Sequence, residues 1–200
     1  LNYDGTAQHG GVLLIAGDDH GAKSSTLPHQ SEPAFMAAAV PIFHPAGVQE
    51  YLDLGLHGFA MSRYSGCAVG FKAVGETVES SASVSIDPNA VQIAETIDFD
   101  MPGDGLNLRY PDDIMIKESR LLNYKLPAAQ AYVRANGLDK IIFDTPKPRL
   151  GIVTTGKAYL DVRQAFDELG LTAEMAADMG IRLYKVAMTW PMEPQGALEF

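Results

Sequence analysis

The feature that most constrains the fold is an apolar strand that opens directly into a long polar loop. Residues 12–16 read Val-Leu-Leu-Ile-Ala, which predicts a buried strand. Residues 18–32 then carry Asp, His, Lys, Ser and Thr without hydrophobic periodicity. This layout is typical of α/β proteins, in which ligands bind beyond the carboxyl ends of parallel strands. We therefore predict a binding site in this loop.

The elements that follow the loop predict a parallel sheet. An Ala- and Met-rich helix at 32–39 and a short strand at 40–43 come first. A helix at 48–63 follows, in which Val48, Leu52, Leu56 and Phe59 recur near helical spacing, and then a strand at 67–74. The resulting β-α-β-α-β order requires right-handed crossovers and a largely parallel sheet.

Two weaker strands and a second unit are predicted further along. Residues 79–86 are small, polar and β-branched, which favours an edge strand, and residues 91–99 alternate weakly. Two helices then form a connector, and a strand at 150–154 opens a second α/β unit. We expect three parts: 1–110, a helical connector at 111–148, and 149–200.

Composition and charge restrict the partners. The chain has 200 residues and a formal net charge of −10. Nucleic acid and anionic membranes both need a basic face, so we expect neither as a partner. The longest apolar run, residues 34–43, is about half of what a bilayer span needs.

Cys67 is the only cysteine. A single cysteine excludes an internal disulfide, a Cys-rich zinc site and an iron–sulfur cluster held by this chain alone. It fits a reducing, cytoplasmic setting, and we expect Cys67 to be a small buried hydrophobe.

The polar loop offers several chemistries. Asp18, Asp19 and His20 could suggest a metal site, but adjacent residues do not easily converge on one ion, so we expect no metal and carboxylates that cap backbone N–H groups. Ser24, Ser25 and Thr26 lack the glycines of a nucleophile elbow. Hydroxyls beside His20 and His29 suit the binding of a carboxylate or phosphate, and plain loop hydrogen bonding is nearly as good an interpretation.

Two other motifs suggest ligands less strongly. Gly103-Asp104-Gly105 resembles the start of a magnesium–diphosphate motif, but the Asn-Asn pair that should follow is missing, so we interpret it as a turn. Residues 154–156, Thr-Thr-Gly, lie at a strand-to-helix junction that could cradle an anion. Since no Gly-rich phosphate pattern accompanies them, a helix cap is favoured.

Three stretches carry a family resemblance. They read GDDHGAKSSTLPHQSE at 17–32, VQEYLDLGLHGFAMSRYSGCAVGFKAVGETVESSASV at 48–84, and LGIVTTGKAYLDVRQAFDELGL at 150–171. The first two resemble the long, fused bacterial form of indolepyruvate:ferredoxin oxidoreductase, a thiamine-diphosphate-dependent 2-oxoacid:acceptor oxidoreductase. The third is similar to the start of the transketolase C-terminal-like domain of that family.

The resemblance implies a fold and an activity. The fold would be an α/β, parallel-sheet, pyrimidine-binding-type thiamine diphosphate domain (partial), followed by the start of a transketolase C-terminal-like α/β domain. The intact enzyme would be a cytoplasmic homo-oligomer that oxidatively decarboxylates arylpyruvates to acyl-CoA and passes electrons to ferredoxin. The chain would be a fragment, inactive without the missing domains of the same polypeptide.

The resemblance also implies site residues and cofactors. Asp19, His20, Ser24, Ser25, Thr26 and His29 would contact cofactor or substrate. The intact enzyme would hold thiamine diphosphate with Mg²⁺ and [4Fe-4S] clusters, and this chain alone would bind none of them. The catalytic Glu of the family would precede Leu1. The alternative from another functional class is a non-catalytic α/β domain that binds a ligand or a partner.

Overall fold

Two small sheets organise the chain, and the computed structural model describes all residues, 1–200. The first sheet has four strands in the order β1-β3-β2-β7. The second has three strands in the order β4-β6-β5. The strands are β1 (Leu13–Asp18), β2 (Ile42–Phe43), β3 (Val69–Val74), β4 (Lys140–Phe143), β5 (Leu150–Thr155), β6 (Ile181–Val186) and β7 (Met188–Trp190).

The first three strands run parallel, as predicted, so their carboxyl ends meet at one edge. β3 pairs with β1 on one side and with β2 on the other, with Asp18 opposite Val74 and Phe43 opposite Phe71. The polar loop leaves this edge after Asp18, and His44 follows β2 directly. β7 pairs antiparallel to β2 and closes the far side of the sheet.

The helices connect and cover these sheets. They are α1 (Glu32–Ala37), α2 (Val48–Ser65), α3 (Gly75–Val78), α4 (Ile114–Arg120), α5 (Leu126–Ala135), α6 (Gly156–Glu168), α7 (Ala173–Met179) and α8 (Pro194–Glu199). A π-helical turn, Leu121–Lys125, joins α4 to α5 without a break, so the predicted connector is nearly continuous. Asp113 caps α4, as its position predicted, by accepting from the N–H of Met115 at 2.8 Å.

Helix α2 lies on the sheet with its Leu52–Leu56–Phe59 stripe pointing outward. These three side chains are 41–56% exposed, whereas Leu54 and Met61 belong to the main core. The reason is a close approach at Gly58, where an added Cβ would lie 2.5 Å from Leu13 Cδ2. Apolar side chains therefore occupy two faces of α2, a pattern typical of a helix that is covered on both sides.

The two strands predicted at 79–86 and 91–99 are wrong, because this stretch is irregular. The outer edges of β1 and β7 have no strand partner, but no residue of this stretch pairs with them. Side chains satisfy the backbone instead: Gln49 bonds both the N–H and the C=O of Ser85, and Asn136 accepts from the N–H of Ala94 at 2.8 Å.

The second sheet is mixed and is tied to the first. β5 and β6 are parallel, as predicted, whereas β4 is antiparallel to β6. Between the units, buried Lys185 of β6 forms an ion pair with Glu50 of α2. Because β6 continues almost directly into β7 of the first sheet, the two units are joined through backbone pairing as well as through side chains.

None of the helices combines the length and the apolar character that crossing a bilayer would need.

Candidate functional site

A single buried lysine holds both ends of the polar loop. Lys72 of β3 is 1% exposed, and its Nζ lies 3.2 Å from a carboxylate oxygen of Asp18, where the loop begins. The same Nζ donates to Glu32, where the loop ends. Ser31 also donates to Asp18 through its N–H at 3.0 Å and its hydroxyl at 2.9 Å. The loop is therefore closed at its base by charge-assisted hydrogen bonds.

The charge on Asp18 depends on these donors. Burial alone would raise its pKa, but the hydrogen bonds from Ser31 and Lys72 outweigh burial and hold the pKa below its ordinary value. Asp18 is thus a buried anion at neutral pH, and Lys72 is its countercharge.

Asp19 shapes the first turn of the loop. Its carboxylate accepts the backbone N–H groups of Lys23 at 3.0 Å, Ser24 at 2.8 Å and Ser25 at 2.9 Å. These three backbone hydrogen bonds hold its pKa well below the ordinary value. The carboxylate therefore caps backbone N–H groups, which is the local role that its position in a polar loop indicated.

The two loop histidines flank the buried carboxylate. The Nε2 atoms of His20 and His29 each lie 4.0 Å from an oxygen of Asp18. His29 also faces two carbonyl oxygens, Gly17 O at 3.1 Å from Nε2 and Leu27 O at 3.3 Å from Nδ1. These backbone contacts raise the pKa of His29, because only the imidazolium can donate from both nitrogens.

The predicted hydroxyl row is the outer part of the loop. Ser24 and Thr26 are exposed and Ser25 is half-buried. The Ser24 hydroxyl donates to Asp19 at 3.2 Å. The structure thus brings Asp19, Ser24 and Ser25 together as one hydrogen-bonded turn, with His20 and His29 nearer to Asp18.

A cleft of about 340 Å³ lies beside this loop, between the two sheets. His20, Glu32, His44 and Lys72 line it from the first unit, and Thr155 and Lys157 line it from the second. Of the predicted site residues only His20 reaches it. The carboxyl edge of the first sheet therefore faces the β5–α6 junction of the second.

His44, Glu32 and Lys72 were missed by sequence reasoning. Lys72 carried a signal that could have been used, because it is a lone charge inside the apolar strand CAVGFKAV. A charge in such a strand is buried and must have a partner. His44 also carried a signal, because it directly follows the predicted strand 40–43 at the carboxyl end where ligands bind.

The remaining candidates do not fit a metal or a cluster. The carboxylate of Asp104, in the Gly-Asp-Gly turn, is bound by Arg109 and Arg120 rather than free to hold Mg²⁺. No group of three or more acidic, His or Cys side chains is arranged to hold an ion. Asp18 and Asp19 are engaged with Lys72 and with loop amides, as described above.

Cys67 is fully buried, as predicted, and burial raises its pKa to about 11. Because the thiolate is the reactive species, we expect an aromatic disulfide reagent to modify native Cys67 at least about 100-fold more slowly than the urea-unfolded chain. Absorbance of the released thiolate measures both rates. Rapid, stoichiometric modification of the native chain would contradict this placement, and Cys67→Ser provides the blank.

Comparison with known proteins gives two findings. Residues 140–200 match the family model described as "Indolepyruvate oxidoreductase domain". The fold is similar to that of the 2-oxoglutarate:ferredoxin oxidoreductase from Magnetococcus marinus, solved with 2-oxoglutarate, coenzyme A and succinyl-CoA bound. That likeness has a TM-score of 0.56 at 12% sequence identity, and it covers 94% of this chain.

These comparisons support the predicted class of protein. The structural likeness confirms an α/β fold with parallel sheets, and this chain spans 38% of the chain that it matches. The family match supports a relationship between residues 140–200 and 2-oxoacid oxidoreductases, with which the fold agrees. A search of curated proteins finds no match.

Proposed function

We propose that this chain is part of an indolepyruvate:ferredoxin oxidoreductase, an enzyme that oxidatively decarboxylates arylpyruvates. The observation that carries the proposal is the match of residues 140–200 to an indolepyruvate oxidoreductase domain. The preceding 139 residues contain a second feature that suits such an enzyme. This feature is a polar loop held rigidly at the carboxyl edge of a parallel sheet, where ligands bind. In the intact, cytoplasmic enzyme, coenzyme A accepts the acyl group and ferredoxin accepts the electrons.

This proposal assigns each part of the chain to a domain of the enzyme. Residues 1–110 form the later part of the pyrimidine-binding domain, 111–148 the helical connector, and 149–200 the start of the transketolase C-terminal-like domain. Two strand pairings link these parts. Strand β4 lies in the connector and pairs with β6 of the last part, and strand β7 of the last part pairs with β2 of the first. The parts therefore act as one unit around the cleft.

The loop residues receive distinct roles. Asp19 positions the turn through its backbone hydrogen bonds, and Lys72 closes its base. Ser24, Ser25, Thr26, His20 and His29 are the proposed contacts to cofactor or substrate. The Ser24 hydroxyl and the ring nitrogens of His29 would exchange their contacts within the loop for the ligand. A rigid base under exposed donors suits recognition of a 2-oxoacid, whose carboxylate and carbonyl oxygens accept hydrogen bonds.

The cofactors of such an enzyme do not fit this chain alone. Thiamine diphosphate needs a Mg²⁺–diphosphate site, and Asp104 is held by two arginines. A [4Fe-4S] cluster needs several thiolates, and the one thiol here is buried and protonated. We propose that other domains hold these groups and that this chain contributes contacts from its loop.

The large accessible surface area of the chain is consistent with its being part of a larger assembly. Its accessible surface is 11014 Å² for 21.5 kDa. A folded monomer of that mass exposes roughly 9,200 Å². Leu52, Leu56 and Phe59 contribute to this excess as an outward apolar stripe. The same stripe favours the second candidate, a non-catalytic domain that docks to a partner.

Activity of the full-length protein decides between these two functions. With indolepyruvate, coenzyme A and an artificial electron acceptor, we expect coenzyme A-dependent reduction of the acceptor and formation of acyl-CoA. Pyruvate and 2-oxoglutarate serve as matched substrates of the same class. Absence of reaction with all three would favour the non-catalytic domain.

Calorimetry of the isolated 200-residue chain tests whether thiamine diphosphate is held by other domains of the enzyme. We expect no tight binding of thiamine diphosphate with Mg²⁺, because no group of three or more acidic, His or Cys side chains is arranged to hold Mg²⁺ and the Asp104 carboxylate is paired with two arginines. The full-length protein, titrated in the same buffer, is the positive control. Micromolar or tighter binding by the isolated chain would contradict the proposal that other domains hold the cofactor.

A further inference from the structure

The second wall of the cleft contains a helix start that no side chain caps. Helix α6 is 13 residues long, and Thr155 at its N-cap position makes no side-chain cap hydrogen bond. The Thr155 hydroxyl donates instead to the carbonyl of Val186 at 2.8 Å. No acidic residue lies in the first turn. The first N–H groups of α6 therefore have no side-chain acceptor, and the positive end of the helix dipole lies at the cleft.

A second, independent observation lies opposite this helix start. His44 lines the same cleft, is 7% exposed, and has no hydrogen-bond partner at either ring nitrogen. Buried polar groups in folded proteins almost always have a partner. The ring packs against Gly156, where an added Cβ would lie 2.2 Å from Nε2. An unpartnered imidazole ring and the uncapped amides of α6 thus lie close together where the two walls of the cleft meet.

The charges around the cleft leave these donors available. The acidic side chains there are already paired: Glu32 with Lys72, Asp161 with Lys157, and Glu76 with Lys23 at 3.7 Å. Burial and the nearby Lys72 charge lower the pKa of His44 to about 4, so at neutral pH the ring carries one N–H. The unsatisfied groups on the two walls are therefore chiefly donors, which need an acceptor-rich ligand.

Two unsatisfied acceptors specify the ligand further, the ring nitrogen of His44 that carries no hydrogen and one carboxylate oxygen of Glu32. The Oε2 atom of Glu32 is buried in the same cleft and has no partner. A carboxylate ligand offers no hydrogen to this atom, whereas a phosphate that keeps one O–H can donate to it while its other oxygens accept. The combination of donors and acceptors therefore favours a phosphate group that keeps one O–H over a carboxylate.

We propose that the N-terminus of α6 and His44 form a binding site for the phosphate group of a small molecule, in the cleft between the two sheets. Gly156, Lys157 and Ala158 provide backbone N–H groups, and the ring of His44 donates from the opposite wall. The site is separate from the hydroxyl row of the loop, and it does not depend on 2-oxoacid chemistry. A bound phosphate would also bridge the two units.

Amide NMR spectra of the ¹⁵N-labelled chain test this site. Inorganic phosphate is titrated at constant ionic strength, balanced with sodium chloride, and glycerol phosphate and acetate are titrated in parallel. We expect saturable shifts at the amides of residues 156–158 and at the His44 ring with both phosphates. The capped first turns of α4 and α7, at Met115 and Met175, are internal controls and should not move.

Variants separate the site from a general salt effect. We expect His44→Phe, which keeps the ring volume, and Lys157→Met, which is on the surface, each to weaken phosphate binding several-fold. Lys147→Met, an exposed lysine elsewhere, should leave it unchanged. Non-saturating shifts equal to those of chloride, acetate binding as tight as phosphate binding, or unaltered affinity in both site variants would each overturn the proposal. Saturable binding of glycerol phosphate alone would support a phosphate monoester as the ligand.

Discussion

Replacing Lys72 with methionine is expected to lower the free energy of unfolding by about 3–5 kcal/mol, which is typical when one partner of a buried ion pair is removed. Methionine has about the same volume as the aliphatic part of lysine, so the decrease in unfolding free energy reports the removal of the ammonium charge. Asp18 would remain buried without its cation, and the contact that joins Asp18 to Glu32 would be lost. Urea unfolding followed by circular dichroism measures the change.

Lys23→Met is the matched control for this substitution. Lys23 also pairs with a carboxylate, that of Glu76, but its side chain is 70% exposed, so we expect a change of at most about 1 kcal/mol. Hydrogen exchange should show faster exchange at the amides of Ser24 and Ser25 in Lys72→Met than in the wild type. A loss below about 1 kcal/mol for Lys72→Met would show that the buried pair does not hold the loop.

Gly156→Ala is the second substitution with a large expected effect, a loss of about 2–5 kcal/mol. Gly156 has φ +53°, which an L-residue adopts at a cost of about 1–2 kcal/mol. The new Cβ would also lie 2.2 Å from Nε2 and 2.3 Å from Cε1 of His44. Side chains must move to remove this clash, and such overpacking typically lowers stability by about a further 1–3 kcal/mol. Urea unfolding again provides the measurement.

Two comparisons separate backbone strain from the clash. Gly137 has φ +57° with open space around it, so Gly137→Ala should show only the smaller cost of strain. His44→Ala in the Gly156→Ala background should recover part of the loss, because it removes the ring that the methyl group meets. Equal losses at Gly156 and Gly137 would mean that His44 does not press on the helix start.

Much of the fold could be predicted because the hydrophobic patterns of single elements agree with the strand pairing in the structure. The apolar strand 12–16, the helix 48–63 and the strand 67–74 each occur within a few residues of their predicted positions. Asp113 and the junction at residues 154–156 also fall where helix-start signals placed them. The strands predicted within residues 79–99 failed because β propensity alone does not determine whether a stretch pairs with a sheet edge.

The orientation of α2 was not predictable from its periodicity. Leu52, Leu56 and Phe59 form a regular apolar stripe, but Gly58 lets the opposite face approach Leu13 more closely. A spacing of three and four residues identifies a helix face and does not say which neighbour covers it. The choice of buried face therefore depends on the tertiary packing.

The candidate site was predictable in part for a related reason. The loop and its polar residues follow from one local stretch, so Asp19, His20 and His29 could be named from the sequence. Lys72 and His44 lie 54 and 26 residues beyond Asp18, and only the parallel pairing of β1, β3 and β2 brings them to the same edge. The β5–α6 junction reaches that edge through the second sheet, which no local pattern reveals.

The most direct test of the central claim is the steady-state kinetics of loop variants in the full-length protein. His29→Ala and the double variant Ser24→Ala/Ser25→Ala should each lower kcat/KM for indolepyruvate about tenfold or more, as expected when a hydrogen bond to a charged ligand group is lost. His9→Ala, at an exposed position outside the loop, should leave kcat/KM unchanged. Loop variants that turn over indolepyruvate as efficiently as the wild type would contradict the claim that this loop faces the reacting 2-oxoacid.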